Sequence, residues 1–430
     1  MIRNVFVVMR GTLIAQGLGV LALPVLTRLL EPAAFGHFQI YQSVLIVLLV
    51  LPTLRYEVAI LRAGGRDELQ ALIQLCLGCS LVVASVALLA LALLTSIGWP
   101  AEVAALPFSM WLILAGLLFG GFAQFMALLL TREQAFPASA KSKIVQSVTY
   151  VAAAIGIGAA APISATLIIA DVIARFVNSA YLAIWSITTM PWIWRPARWQ
   201  TVRSVARRYR EYPIVSVPGT LINVVGGILT PLMIYATFDA NASGQYALLE
   251  RSLSLPLGLV IVSVSQVFTS QFAASFRTDR GQAIHAFNKI VKIMALAGIA
   301  PVLLLVLAGP TLFALLFGEQ WRIAGELSRV MAPAYWSMLI VGTVNMVVTV
   351  VGYQKTQTAW EIIRLASMVA LWLVVPRLGL SLGQAVLGHA AVTIACNIGF
   401  VVLASWTLRH ASNDEPLVIS AGTGTHDNDR

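Results

Sequence analysis

Twelve stretches of about 20 mostly apolar residues, parted by glycine, proline or charged breaks, recur along the 430 residues of this chain. A hydrocarbon core of about 30 Å is crossed by about 20 helical residues. Inside it each backbone N–H and C=O must be satisfied by the protein, which admits helices and closed barrels and little else. The windows fall near 5–29, 39–61, 69–95, 107–130, 144–161, 163–189, 213–236, 244–272, 287–308, 328–351, 357–376 and 382–408. The region 144–189 is hardest to divide, because only Ala160, Ala161, Pro162 and Ile163 interrupt it. Charged residues make up 11% of the chain, less than half the roughly 25% of soluble domains. The expected fold class is an all-α polytopic membrane protein with twelve transmembrane helices.

The net charge of +10 does not point to nucleic acid, since no soluble surface is available to cluster it. Most basic residues sit in the short connections instead. With the N-terminus in the cytoplasm, nineteen Lys and Arg fall on the inner side and three (Arg322, Arg329 and Arg377) on the outer. That bias places both termini inside by the positive-inside rule. Three cysteines form no disulfide framework, and Cys76 and Cys79 lie in an apolar run where they read as a buried helix face. The run from Val5 to Leu26 is too long for a signal-peptide core and lacks a clear cleavage site, so it reads as a span that stays.

The chain also repeats itself. Gly11-Thr12-Leu13-Ile14 recurs as Gly219-Thr220-Leu221-Ile222, and at the same offset of 208 Gly19 meets Gly227, Ala34 meets Ala242 and Gly36 meets Gly244. Span 1 thus falls on span 7, which predicts two six-helix lobes, 1–191 and 213–410, in a parallel repeat around a central cavity. Between them, 192–212 carries Trp199, Val202, Val205, Ala206, Tyr209 and Tyr212 on one helical side, and Arg203, Arg207 and Arg210 largely on the other. It is either an amphipathic helix on the inner membrane surface or an ordinary basic linker. A second surface segment is expected at Leu312 to Ile323, and the polar tail 411–430 is expected to be disordered. Glycines at 36 and 244 read as turn elements, and Gly11, Gly17, Gly19, Gly226 and Gly227 as sites of close helix packing.

Three short motifs then carry a resemblance. Pro24, Thr27, Arg28 and Leu30, followed by Glu31-Pro32 and by Phe35, Gly36 and Phe38, resemble the P-x-x-T-R-x-L, acidic-Pro turn and F-G-x-[FY] that open Wzx-type polysaccharide flippases. Those belong to the multidrug/oligosaccharidyl-lipid/polysaccharide exporter superfamily. Leu54-Arg55-Tyr56-Glu57-Val58-Ala59-Ile60 is similar to their L-R-x-E-x-A-[IL], and Phe317-Gly318-Glu319-Gln320-Trp321 to their F-G-x-x-W. The resemblance implies that an undecaprenyl-pyrophosphate-linked oligosaccharide is moved across the bacterial inner membrane by two rocking lobes, without enzymatic chemistry. It implies lipid-linked oligosaccharide and membrane lipids as partners, together with polysaccharide polymerase and chain-length proteins. It further implies functional arginines on spans 1, 2 and 8, which here are Arg28, Arg55 and Arg251.

The charges within the spans are read for themselves as well. Six arginines (Arg10, Arg28, Arg55, Arg175, Arg251 and Arg364) outnumber four acids, and each costs about 2.5–3.5 kcal/mol to insert at a span centre. A surplus of arginine in a low-dielectric cavity suits an anionic cargo, because guanidinium grips phosphate bidentately. Asp171 and Arg175 are four apart and Glu361 and Arg364 three apart, so each pair is expected to close on its own helix. Arg55 and Glu57, and Glu250 and Arg251, are expected to seek partners elsewhere. Together with what the resemblance implies, this makes Arg28, Arg55 and Arg251 the first candidates for pyrophosphate contact, with Arg175 and Arg364 next. Glu57, Asp171, Glu250 and Glu361 are candidates for coupling to H⁺ or Na⁺, since no nucleotide motif and no other cofactor signature is present. A multidrug exporter of the same superfamily would favour acids and aromatics for organic cations. A membrane-embedded polymerase would need a large catalytic outer loop, whereas the outer loops here stay within about 20 residues.

Overall fold

The computed structural model describes residues 2–96 and 109–410; the connection 97–108 and the tail expected to be disordered lie outside them. Among the described residues every regular element is helical. The first six α-helices are α1 (Ile2–Leu29), α2 (Pro32–Leu48), α3 (Arg66–Ser96), α4 (Ser109–Arg132), α5 (Phe136–Ala160) and α6 (Thr166–Thr189). After α7 (Trp199–Arg208) come α8 (Val217–Thr237), α9 (Ala240–Thr278), α10 (Arg280–Phe317), α11 (Arg322–Val344), α12 (Gln354–Leu378) and α13 (Leu382–His410). Eleven of these helices, with their short extensions, are long and apolar enough to cross a membrane, and the chain is a multi-pass membrane protein.

The twelfth expected span, 39–61, is not one continuous helix. It is α2, of 17 residues, followed by a broken segment and a 3-10 helix at Tyr56–Arg62. Pro52 has no N–H to continue the ladder. Beyond it Leu54 and Arg55 take left-handed conformations, with φ of 48° and 65°. Each costs on the order of 1–2 kcal/mol for a residue with a Cβ. Successive i→i+3 bonds, among them Leu51 N–H to Leu48 O (3.0 Å) and Leu54 N–H to Leu51 O (2.9 Å), keep the backbone satisfied through the break. Gly121 of α4 provides the space for Pro52, whose Cβ lies 2.7 Å from where a side chain at 121 would begin.

The described residues divide into two compact units, one of Met1–Arg251 with Phe313–Ala324, the other of Ser252–Leu312 with Gly325–Arg430. In the first unit the first and third of the three motifs interlock. The end of α1 has carbonyls that no later turn can bond. Trp321 Nε1 donates to Thr27 O at 2.9 Å, and Gln320 Nε2 to the same oxygen at 2.6 Å and to Leu30 O at 3.3 Å. The Trp321 ring, fully buried, meets Phe35 edge-on at 4.9 Å. The segment 312–323 keeps Leu315, Leu316, Gln320 and Arg322 exposed, as expected of a surface segment, while its buried Trp321 caps α1 because indole and amide satisfy those carbonyls.

Gly36 and Gly244 correct a second expectation. Both lie in the first turns of helices, not in turns between them. A Cβ on Gly36 would overlap the carbonyl of Ala240, and a Cβ on Gly244 would overlap the carbonyl of Pro32. Pro32 and Ala240 are themselves 208 apart. The contact is therefore reciprocal between repeat-equivalent positions, as a two-fold axis between α2 and α9 requires. Of the other glycines, Gly11 does allow close packing, its position lying 2.5 Å from the Ala140 Cβ of α5. Among the described residues a Cβ added at Gly17, Gly19 or Gly227 would meet nothing within 4 Å, so these positions do not need glycine for packing.

The linker helix α7 turns its apolar face to the protein. Val202, Val205 and Tyr209 join a core with Ile60, Leu72 and Ile193 rather than facing lipid, while Trp199 stays exposed. Gln70 and Gln74 of α3 donate to Trp192 O and Arg195 O at 2.7 Å, and Arg208 pairs with Glu68 at 3.1 Å. In the second unit Phe268, Phe272 and Phe287 pack with Val344, Val348, Phe400 and Leu408.

The glycine contact yields a prediction. Gly36→Ala or Gly244→Ala should lower stability by roughly 1–3 kcal/mol through overpacking against backbone. Gly17→Ala and Gly227→Ala should be neutral or gain up to about 1 kcal/mol of helix propensity. Thermal unfolding of the detergent-solubilised protein measures the difference, and equal midpoints for the two pairs would contradict the close contact.

Candidate functional site

Five helices of the first unit enclose a cleft of about 510 Å³. One wall is the α1–α5 seam. Gly11 lets the two helices approach, Ser147 Oγ donates to Ala15 O at 2.6 Å, and Lys143 Nζ donates to Thr12 Oγ1 at 2.9 Å. From α5, Lys143, Gln146, Ser147 and Tyr150 line the cleft at i, i+3, i+4 and i+7, a single polar helical face. Gln16 of α1 and Gln42 of α2 add two further amides.

Arg251 of α9 closes the cleft. Its guanidinium lies 4.5 Å from the centroid of the Phe38 ring and donates from Nη2 to Gln42 Oε1 at 3.1 Å. Phe38 stacks in turn on Tyr150, with ring centroids 5.9 Å apart. Cation–π contact and the amide oxygen hold the guanidinium on α2. Asp171 contributes the acid of this lining, but its charge is committed. Arg175 Nε donates to its Oδ2 at 2.6 Å and Tyr41 Oη to the same oxygen at 3.2 Å. The lining thus carries two cations, Arg251 and Lys143, against one carboxylate already neutralised from its own helix. The arrangement suits an anion with hydroxyl groups around it: guanidinium and ammonium for the charge, amides and hydroxyls for the rest.

The other sequence-predicted residues lie in different places. Arg28 is exposed at the end of α1 and donates to Leu315 O at 3.3 Å, a carbonyl in the last turn of α10. Arg55 and Glu57 do face each other, at 3.5 Å, against the helical expectation. Two residues apart on a helix they would diverge; the left-handed turn at Arg55 brings them together. Glu57 is wholly buried and also accepts from Thr53 Oγ1 and, at 3.2 Å, from Gln124 Nε2. The expected helical pairs form: Arg175 with Asp171, and Arg364 with Glu361 at 2.6 Å on a half-exposed face of α12. Glu250 is half-buried beside Arg251, and Arg10 is exposed.

Lys143 was missed because the charge count assigned it to an inner connection, whereas α5 begins at Phe136 and carries it inside the helix. The three glutamines were missed because only charges were weighed. The polar stripe on α5 and amides recurring within spans were the available signals.

A profile of the polysaccharide biosynthesis protein family matches residues 25–325. The chain belongs to that family. No curated protein matches the sequence. Among solved structures, the chain is similar to an inward-facing multidrug resistance MATE family transporter of the MOP superfamily, with TM-score 0.66 and 14% identity over 93% of this chain and 96% of that one. It is also similar to a MOP superfamily transporter from Pyrococcus furiosus, described as having a binding pocket of reversed polarity, with TM-score 0.53 and 14% identity over 94% and 95%. A Vibrio cholerae MATE transporter gives TM-score 0.53 and 16% identity over 96% and 97%. The chain therefore shares the fold of these MOP superfamily structures, which have twelve helices in two lobes.

The ion pair beside the cleft is testable as a unit. Asp171→Ala strands Arg175, only 17% exposed in its side chain, and should cost about 3–5 kcal/mol. Asp171→Leu combined with Arg175→Met should recover most of that loss. Folded yield and thermal midpoint of the single and double variants check it; a double variant no better than the single would show that the pair is not a self-contained unit.

Proposed function

We propose that this chain translocates an undecaprenyl-pyrophosphate-linked oligosaccharide from the inner to the outer leaflet of the bacterial inner membrane, for surface polysaccharide biosynthesis. The supporting observation is the cleft: two cations set among amides and hydroxyls, in a member of the polysaccharide biosynthesis family. Arg251 contacts the anionic group of the cargo, a phosphate or an acidic sugar, and Lys143 assists it from α5. Gln16, Gln42, Gln146 and Ser147 offer hydrogen bonds to sugar hydroxyls. Lobes at 1–191 and 213–410, joined by 192–212, alternate access to the two sides, with both termini in the cytoplasm. Lipid-linked oligosaccharide and membrane lipids are the partners, and polymerase and chain-length proteins receive the product.

A multidrug exporter would present unneutralised acid to an organic cation. Asp171 is the acid in this lining, and its salt bridge to Arg175 weighs against that role. Transport also needs an energy source. Among Glu57, Asp171, Glu250 and Glu361, the buried Glu57 cluster with Thr53 and Gln124 has the donors to hold a carboxylate in the span and is our first candidate for H⁺ or Na⁺ coupling.

Arg251→Ala should reduce surface polysaccharide about 10- to 100-fold, the loss of a charge-assisted bond worth roughly 1.5–3 kcal/mol. Protein level and membrane insertion should stay normal, and lipid-linked repeat units should accumulate on the cytoplasmic leaflet. Quantified surface polysaccharide and leaflet-selective labelling of the lipid-linked pool test it. Full output from the variant, or accumulation on the outer leaflet, would refute the assignment.

A further inference from the structure

The second unit contains a larger hollow that the transport reading does not use. The part of α9 beyond Ser263 and the first four turns of α10 form an antiparallel hairpin joined by Asp279 alone. Between them runs a trough of about 910 Å³. Its lining follows one face of each helix, at Val264, Val267 or Phe268, Gln271 or Phe272 and Ser275 on α9, and at four-residue steps from Gly281 to Ile293 and from Gln282 to Ile290 on α10.

The chemistry is graded along the axis. Next to the hairpin turn the trough is lined by Ser275, Gln282 and His285, and then by Gln271 and Lys289. Farther in, the walls become Val264, Val267, Ile290 and Ile293, over Phe268 and Phe272. Val267 and Ile293 are 59% and 43% exposed, so these walls are open to whatever fills the trough. Buried Phe268, Phe272 and Phe287 fix its floor to α11 and α13, and Arg280 donates to Leu408 O at 2.6 and 2.8 Å. The hairpin tip is thus held in place.

This gradient fits a leaflet lipid standing in its natural direction. From Gln282 to Ile293 the trough runs about 17 Å at 1.5 Å per residue, room for a headgroup between Gln282 and Lys289 and for the first methylenes of one acyl chain beside Ile290 and Ile293. At the polar end Lys289 supplies an ammonium, and Gln271, Gln282, Ser275 and His285 supply neutral hydrogen-bonding groups. Asp279 does not repel an anion there at full strength, because its Oδ1 caps α10 by accepting from Gly281 N–H at 2.7 Å and Gln282 N–H at 3.2 Å.

We propose that the α9–α10 trough is a binding site for an anionic phospholipid, its phosphate at Lys289 and Gln282 and one acyl chain along Val264, Val267, Ile290 and Ile293. The site stands whether or not the first-unit cleft carries a glycan, since it needs only a bilayer around the helices. A bound lipid would wedge the hairpin and make the second unit sensitive to the headgroup charge of its leaflet.

The test uses the full chain in phosphatidylcholine nanodiscs doped with either phosphatidylglycerol or phosphatidylcholine that carries a photoactivatable acyl chain. Crosslinked peptides are then mapped. Phosphatidylglycerol should label 263–293 about five-fold more than phosphatidylcholine, the effect of roughly 1 kcal/mol for a lysine near an anionic lipid. Lys289→Glu should bring that label down to the phosphatidylcholine level, and Lys289→Arg should preserve it. Ala286→Trp, which fills the middle of the trough, should remove labelling at Ile290 and Ile293 for both lipids. Equal labelling by the two lipids, or a preference that survives Lys289→Glu, would overturn the proposal. Loss of the label to excess inorganic phosphate would also overturn it, assigning the polar end to a free anion.

Discussion

The backbone contact between α2 and α9 fixes the geometry on which the first-unit cleft depends. Gly36 and Gly244 let the two helix starts touch through their carbonyls, with no side chain between. Phe38 and Gln42 follow Gly36 by two and six residues, and Arg251 follows Gly244 by seven. At 1.5 Å per residue these three groups lie about 3, 9 and 10 Å along their helices from the crossing. The crossing therefore sets the register in which guanidinium meets ring and amide. Trp321 and Gln320 hold the adjoining end of α1 by capping its carbonyls, so α1, α2 and α9 are tied at one end of the cleft.

Charge is distributed around that frame with little left over. Arg175 answers Asp171, Arg364 answers Glu361, and Arg55 answers Glu57 within a turn made for it. Each pair offsets the insertion cost of its own members. Arg251 is held differently, by a neutral amide and an aromatic face, and neither partner cancels its charge. A guanidinium positioned without neutralisation keeps its field directed into the cleft, where a lower dielectric strengthens it.

Much of this was legible in the sequence. The spans follow from apolar windows, and the four-residue and three-residue ion pairs follow from helical spacing. The 208-residue offset named Gly36 and Gly244 as equivalents, although their meeting across a two-fold axis is a tertiary fact that spacing does not state. Span 2 was misread as continuous because Pro52 marks a break but does not dictate left-handed φ at Leu54 and Arg55. Packing against Gly121 and the Glu57 cluster, which spacing does not reveal, helps to compensate that strain. The capping role of Trp321 and Gln320 within the surface segment 312–323 was hidden because their partners, the terminal carbonyls of α1, lie nearly 300 residues away in sequence. Lys143 was hidden by its closeness to the end of α5, where a lysine ordinarily reports topology.

The same features bear on how a transporter lets its cargo go. A dense arginine cluster would hold a pyrophosphate too tightly to release, because each charge-assisted bond in a dry cavity adds to the last. The lining presents one arginine and one lysine on different helices, among amides whose individual bonds are weak. Lys143 sits on α5 and Arg251 on α9, and α9 is the helix that continues from the first compact unit into the second. A change in the course of α9 would therefore alter the distance between the two cations. On the function proposed above, affinity for an anion depends on both, so motion of α9 and release of cargo would be coupled through the Arg251–Phe38–Gln42 contact.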